Sequence, residues 1–137
     1  MEETVIVIMQ KNKGTGFLER ELGSYSVSSS ENLIYNIFAL EDEGKISVHM
    51  RLTTERDLAD WEFSAVFDYY DAEPLLKECD TVESDDSLYN PMWEVRFDFS
   101  ESQRGMEDKI STILDIHKTE LDSVYEAIKD LEQEYTL

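Results

Sequence analysis

The chain has 137 residues and a net charge of −20, and 41% of its residues are hydrophobic. This length fits one domain, residues 1–137, and the hydrophobic content excludes an intrinsically disordered chain. So acidic a chain is also a poor direct ligand for nucleic acid or for an anionic membrane surface, because both bind through Lys and Arg. We therefore expect a globular domain that binds neither, and a basic protein partner is compatible with its charge.

Cysteine content and hydropathy bear on the cellular compartment. Cys79 is the single cysteine and has no disulfide partner within the chain, which suits a reducing environment. The N-terminal residues lack the basic segment and the long apolar run of a signal peptide. No segment approaches the ~20 apolar residues of a membrane span. The sequence predicts a cytoplasmic protein with no membrane segment.

Six segments within residues 4–99 have the hydrophobic patterns of β-strands. The clearest is residues 46–53, where Ile, Val, Met and Leu alternate with Ser, His, Arg and Thr. Strands with one apolar and one polar face are typical of antiparallel sheets. A turn is predicted at residues 11–16 and a serine-rich loop at residues 23–30. The other predicted strands are residues 4–10, 17–22, 32–40, 60–70 and 92–99.

Residues 71–91 show no convincing strand pattern and are predicted to form a long loop. Pro74 can start a short helix there, at residues 73–79. Residues 80–88 are rich in Asp, Glu and Ser, and we expect them to be the most mobile part of the chain outside its termini. Their acids lack the regular spacing and the central glycine of an EF-hand loop.

From about residue 102 to residue 135 the hydrophobic period changes from two to 3.5, which predicts one long C-terminal helix. Ser100 and Gln103 have the spacing of a capping box at its start. The predicted fold is α+β, a curved antiparallel sheet of about five or six strands, mostly a meander, packed on this helix. We expect one shared core, formed by Trp61, Phe63, Phe67, Trp93, Val95, Phe97, Ile110, Leu114, Leu121, Val124 and Ile128.

The predicted apolar stripe of the helix is longer than a strand of the sheet can cover. Apolar surface near Ile128, Leu131, Tyr135 and Leu137 should then stay open, and a second copy of the chain is the commonest means of covering such surface. The sequence therefore predicts a homodimer through the C-terminal half of the helix.

No motif in the chain has the spacing of a metal site, a catalytic nucleophile or a phosphate-binding loop. We therefore predict no catalytic residue, no cofactor and no metal, and a non-enzymatic protein. Of the two histidines, His49 is predicted to face solvent on the polar side of its strand. His117 lies on the apolar stripe of the helix, where a buried and hydrogen-bonded histidine is the favoured interpretation over a catalytic one.

Three functions are compatible with this pattern, and the sequence does not decide among them. The favoured one is a small acidic binding or assembly domain of the cytoplasm. The first alternative is a small-ligand or enzymatic domain with an aromatic pocket between helix and sheet, lined by Trp61, Tyr69, Trp93 and His117. The second is an inhibitor that mimics nucleic acid. An acidic column on the predicted helix is the candidate surface for a basic partner, at Asp122, Glu126 and Asp130.

Overall fold

Six strands form one open, mostly antiparallel sheet, and one face of this sheet packs on helices. The computed structural model describes residues 4–27 and 31–136. The α+β fold with a long C-terminal helix is confirmed. The elements in chain order are β1 (Thr4–Lys11), β2 (Leu18–Val27), β3 (Ile34–Asp42), β4 (Lys45–Leu52), α1 (Asp60–Tyr69), α2 (Glu73–Leu76), β5 (Thr81–Asp85), β6 (Met92–Asp98), α3 (Gln103–Ile128) and α4 (Glu132–Tyr135).

The strands lie in the order β2-β1-β3-β4-β6-β5. The pairs β1–β2, β3–β4 and β5–β6 are antiparallel neighbours that follow each other in the chain. β1 and β3 run parallel, with Gln10 opposite Ala39. The order departs from a meander at two connections, since β3 lies beyond β1 and the chain leaves the sheet between β4 and β5.

The helix α3 covers the apolar face of the sheet and forms the core with it. The alternation predicted for β4 is confirmed, because Val48, Met50 and Leu52 are fully buried. The helical stripe is confirmed as well. Its buried positions are Ile110, Ile113, Leu114, His117, Leu121, Val124 and Ile128. The predicted shared core holds for most of its members, although Trp61, Phe63 and Phe67 are only partly buried.

The strand predicted at residues 60–70 is wrong, because this segment forms α1. The rings of Phe63 and Phe67 lie 5.2 Å apart, as expected of side chains at positions i and i+4 of a helix. The Glu62 carboxylate accepts a hydrogen bond from the Ala59 backbone N–H at 3.0 Å and so caps the first turn. The alternating aromatic residues suggested a strand, but the acids of the first turn favour a helix terminus.

The predicted loops were also too long. Residues 71–91 contain α2 and β5, and β5 pairs with β6 with Val82 opposite Val95. β2 continues to Val27 through the segment predicted as a serine-rich loop, of which residues 28–30 lie outside the described residues. The turn at residues 11–16 is confirmed. There the Asn12 side chain accepts hydrogen bonds from the backbone of Gly14 and Thr15.

The C-terminal helix is shorter than predicted, and its end is covered by the same chain. α3 begins after Ser102, whose hydroxyl accepts a hydrogen bond from Gly105 N–H, so the cap predicted at Ser100 is wrong. α3 ends at Ile128, and α4 follows a turn. Ile128 is buried and the Tyr135 ring packs 6.5 Å from Trp61 of α1. The predicted open surface at Ile128, Leu131 and Tyr135 is therefore wrong, and Leu137 lies outside the described residues.

Within the part of the chain that the structure describes, none of the helices combines the length and the apolar character needed to cross a membrane.

A cationic groove on the open face of the sheet

The face of the sheet opposite the helices carries aromatic and basic side chains. Strand pairing sets two rows across this face. In one row Phe38 lies opposite His49, and His49 lies opposite Arg96. In the next row Arg51 lies opposite Glu94. Residues two apart on one strand point to the same face, so both rows share one surface.

These rows form the floor of an open pocket of about 430 Å³, which we call the cationic groove. The β1–β2 turn supplies one wall, and outward residues of β3, β4 and β6 supply the remainder. It is lined by Lys11, Asn12, Lys13, Gly16, Phe38, Leu40, His49, Arg51, Glu94 and Arg96.

One carboxylate organises the polar part of the cationic groove. Glu94 accepts hydrogen bonds from Arg51 Nε at 2.9 Å and from Arg96 Nε at 3.1 Å. Its Oε2 also lies 3.3 Å from His49 Nδ1. The Glu94 side chain is only 12% exposed. Because both guanidiniums are held through Nε, the bonds to Glu94 leave their terminal N–H donors for other acceptors, and Glu83 lies 3.9 Å from Arg96 Nη2.

The ring of Phe38 organises the other part. His49 stacks on it with ring centroids 5.1 Å apart and planes only 8° from parallel. Lys11 Nζ lies 4.2 Å from the ring centroid and the Arg51 guanidinium 5.2 Å from it. Two cations from separate strands therefore converge on one aromatic ring.

The protonation states follow from these contacts. Burial lowers the pKa of His49, against the opposing hydrogen bond and charge of Glu94, so the imidazole is neutral at neutral pH. Burial alone would raise the pKa of Glu94, but hydrogen bonds from Arg51, His49 and Arg96 outweigh it and hold this pKa below its usual value. Glu94 is therefore ionised and the arginines remain its charged partners.

The cationic groove contrasts with the remainder of the chain. Four of the twelve Lys and Arg residues line it, against one acidic residue, in a chain with a net charge of −20. Two further acids stand close by. Asp42 pairs with Lys13 at 3.2 Å, and Glu83 lies 3.9 Å from Arg96. Lys11 and Arg51, the two cations on the Phe38 ring, are the ones directed at the floor of the groove.

Replacing Glu94 with glutamine should lower the pKa of His49 further, because this carboxylate favours the protonated imidazole while burial and the arginines oppose it. An NMR titration of the imidazole resonances measures this pKa. The matched control is Asp98→Asn. Asp98 lies on β6, the strand that also carries Glu94, and its carboxylate pairs with Lys45 of β4. A His49 pKa that stays unchanged or rises in Glu94→Gln would contradict the prediction.

Comparison with known proteins gives a family. A family model described as a family of unknown function (DUF6762) matches residues 1–136. The chain belongs to the DUF6762 family. None of the curated proteins and none of the solved structures that were compared matches it.

In this DUF6762 chain, the residues predicted to line an aromatic pocket do not all meet. Trp93 and His117 are in contact, with ring centroids 5.3 Å apart. Tyr70, not Tyr69, stacks on Trp93 at 4.2 Å, and Tyr69 is largely exposed. Trp61 contacts Tyr135 at the other end of α1. Side chains therefore pack tightly around the imidazole of His117.

His117 is buried and fully hydrogen-bonded, as the favoured interpretation predicted. Its Nε2 lies 2.7 Å from the Thr53 carbonyl oxygen, which can only accept, so Nε2 carries the proton. Nδ1 then accepts from the Tyr70 hydroxyl at 2.7 Å. Burial lowers the pKa of His117 to about 4, which keeps the ring neutral.

His49 is the histidine whose predicted environment is wrong. It does point to the polar face of β4, but it is buried and not solvent-facing. Phe38 on β3 and Arg96 on β6 flank it in register and cover it. Alternation within one strand gives the side of the sheet, whereas burial on that side depends on neighbouring strands.

The acidic column at Asp122, Glu126 and Asp130 is exposed but is not one helical column. α3 ends before Asp130, which lies in the turn to α4. Lys118 pairs with Asp122 at 3.2 Å, and Lys129 pairs with Glu126. Two of its three carboxylates are thus already paired within the chain.

The thiol of this DUF6762 chain is not placed to act as a nucleophile. Cys79 is buried, and burial raises the pKa of its thiol to about 11 against the opposing charge of Lys109. Such a thiol is a poor nucleophile at neutral pH. Over residues 4–27 and 31–136, no three His, Cys, Asp or Glu side chains are grouped to hold a metal ion.

Proposed function

We propose that this chain is a non-enzymatic binding domain and that the cationic groove binds an anionic group of its ligand. The observation that carries the proposal is the arrangement around Glu94. Its buried carboxylate holds Arg51 and Arg96 through Nε at 2.9 and 3.1 Å. Arginines fixed in this manner lose little conformational freedom when they donate to an anion.

The positions of Lys11 and Arg51 support an anion site beside Phe38. Both cations approach the same ring, at 4.2 and 5.2 Å. An anion beside this ring would be attracted by both positive charges. An anion there would accept hydrogen bonds from both side chains, and such charge-assisted bonds are the stronger kind in proteins.

The overall charge supports a small ligand over a large polyanion. A polyanion would extend beyond the cationic groove onto a chain whose net charge is −20. A small anion with one or two charges meets mainly the local cations, since physiological salt screens exposed charges beyond ~8 Å. This agrees with the expectation that the chain does not bind nucleic acid directly.

Replacing Lys11 and Arg51 together with glutamine should weaken the binding of a simple anion about tenfold or more, because hydrogen bonds to charged groups contribute roughly 1.5–3 kcal/mol each. Titration of the wild-type protein with ethyl phosphate, followed by amide NMR, gives the affinity and the location. We expect shifts around Lys11, Phe38 and Arg51.

The matched control is Lys118→Gln with Lys129→Gln, which removes the same charge from exposed positions of the C-terminal segment. This variant should bind ethyl phosphate as the wild type does. If both double variants bound ethyl phosphate equally weakly, the net charge of the chain and not the cationic groove would determine the affinity. That result, or shifts located outside the cationic groove, would overturn the proposal.

Other proposals rest on the sequence. A cytoplasmic location is supported by the single cysteine of the chain.

A basic protein partner would bind to the exposed acids Asp122, Glu126 and Asp130. It would compete with Lys118 and Lys129, which already pair with two of these acids. A homodimer would need a surface other than the apolar stripe of α3, since that stripe is buried by the chain itself.

A further inference from the structure

A pocket of about 480 Å³ opens on the helix side of the sheet, between α1 and the edge strand β5. Strand pairing places it there, since Ser84 of β5 lies opposite Trp93 and Phe67 of α1 packs 5.6 Å from the Trp93 ring. Trp93 belongs to the core, so this pocket and the cationic groove lie on opposite faces of the sheet. We call it the α1–β5 pocket. It is lined by Phe63, Ser64, Phe67, Asp68, Ser84 and Asp86.

Two aromatic rings form the apolar part of the α1–β5 pocket. Phe63 and Phe67 lie one helical turn apart on α1, with ring centroids separated by 5.2 Å and ring planes at 64°. Both side chains are only partly buried, so part of each ring is open to the pocket. Such rings offer apolar area, and their electron-rich faces attract cations.

The polar part of the α1–β5 pocket is negatively charged. Asp68 and Asp86 line it together with two serines, and none of its lining residues is basic. Within the part of the chain that the structure describes, neither carboxylate takes part in an ion pair. Asp68 accepts one hydrogen bond, from the Tyr135 hydroxyl at 2.8 Å, which leaves it capacity to accept others.

The position of Asp68 in α1 also favours a cation. Asp68 lies in the last turn of this helix, where the helix dipole is negative and no basic side chain is present. A carboxylate at this end of a helix costs stability, whereas a positive charge there is stabilising. The surrounding segment, residues 55–100, carries 14 acids and 3 bases. A bound cation would therefore offset a repulsion that the chain itself leaves unopposed.

We propose that the α1–β5 pocket binds a small organic amine in its ammonium form. The ammonium group donates hydrogen bonds to Asp68 and Asp86, and the apolar carbons of the ligand pack on Phe63 and Phe67. Charge complementarity assigns this occupant, because both carboxylates repel an anion.

Two further features of the α1–β5 pocket agree with an organic cation. A bare metal ion would make no use of the rings, and hard cations such as Ca²⁺ take six to eight oxygen ligands where the pocket offers two carboxylates. The volume of about 480 Å³ is that of a small-molecule site.

The test is a titration of the full chain with butylammonium, followed by amide NMR, which should shift the resonances of Phe63, Phe67, Asp68 and Ser84. Butanol keeps the apolar chain without the charge and should bind about tenfold more weakly or worse, since hydrogen bonds between charged groups are the stronger kind. Methylammonium keeps the charge without most of the apolar chain and should bind about fivefold more weakly or worse.

The double variant Asp68→Asn with Asp86→Asn should weaken the binding of butylammonium about tenfold or more. Asparagine still accepts a hydrogen bond from Tyr135, so the fold should tolerate the change. The matched control is Asp108→Asn with Asp115→Asn, which removes the same charge from exposed positions of α3. This control should bind butylammonium as the wild type does.

Each contrary result would overturn the proposal. Equal weakening in the two double variants would mean that the net charge of the chain determines the affinity. Equal affinities for butylammonium and methylammonium would mean that the rings contribute nothing. Tighter binding of Nα-acetyl-lysine amide than of butylammonium would assign the pocket to a lysine side chain of a protein partner. Shifts located outside the α1–β5 pocket would place the amine elsewhere.

Discussion

Replacing Leu121 with alanine should lower the free energy of unfolding by about 2–5 kcal/mol, which is the usual cost of a large cavity in a core. Leu121 is 1% exposed and lies on the stripe of α3 that packs against the sheet. Val124 and His117 on the same stripe are buried as well, so the surrounding side chains are already packed and have little freedom to collapse into the space. Urea unfolding at neutral pH measures the loss.

Ser123→Ala is the matched control, since Ser123 is an exposed residue on the opposite face of the same helix turn. Its effect should stay within about 0.5 kcal/mol, as for most surface substitutions. A loss well under about 1 kcal/mol for Leu121→Ala would reject the placement of this stripe in the core.

The long helix could be predicted because its pattern is sustained over many residues. The spacing of Ile110, Leu114, Leu121, Val124 and Ile128 fits a helical face, and the structure buries all five. The end of the helix was less predictable. Tyr135 keeps the same spacing, but it reaches Trp61 from the separate helix α4. A periodic pattern continues across a turn when both helices pack on the same neighbour.

The error at residues 60–69 has a physical cause in short segments. Trp61, Phe63 and Phe67 alternate in a manner typical of a strand, yet Phe63 and Phe67 are also four residues apart, which is a helical spacing. The contact between the Phe63 and Phe67 rings, whose centroids lie 5.2 Å apart, is what distinguishes the helix from a strand. The acids Asp60 and Glu62 at the start of the segment were the available signal for a helix.

β5 was missed because its stability does not come from its own sequence. Thr81–Asp85 contains one large apolar residue, Val82, and two acids. It pairs with β6 at the edge of the sheet, where charged residues discourage pairing with another chain. The expectation that residues 80–88 are the most mobile segment stays a prediction, now for an edge strand and the turn after it.

The cationic groove could be predicted only in part. Alternation on β4 placed His49 and Arg51 on one side, and alternation on β6 placed Glu94 and Arg96 on one side. What brings them together is the pairing of β4 with β6, which the sequence did not reveal. Lys11 arrives from β1, because β1 lies beside β3 in the sheet. Sites built across several strands depend on strand order, and no single segment encodes that order.

His117 should make the stability of the protein fall between neutral and mildly acidic pH. Burial holds the pKa of His117 near about 4, below the ordinary value of 6.5 that applies in the unfolded chain. The folded state therefore favours the neutral ring. Its contribution is fully present above pH 6.5 and is lost as the pH falls toward 4, since below 6.5 the unfolded state binds a proton that the folded state does not.

Between pH 7 and pH 5 this loss should reach about 2 kcal/mol, at about 1.4 kcal/mol for each pH unit below the unfolded pKa. Other groups also titrate, so the measurement is the difference in unfolding free energy between the wild type and His117→Gln at each pH. Glutamine does not titrate and can still hydrogen-bond to the Thr53 carbonyl and the Tyr70 hydroxyl. The difference should shrink by about 2 kcal/mol from pH 7 to pH 5.

His49→Gln is the control, because Glu94 favours the protonated form of that histidine and opposes the effect of its burial. His49→Gln should change the pH dependence of the unfolding free energy less than His117→Gln does. A difference between the wild type and His117→Gln that stays constant from pH 7 to pH 5 would mean that His117 titrates alike in the folded and unfolded chains. The imidazole would then be open to water and its hydrogen bonds to Thr53 and Tyr70 would not hold it neutral.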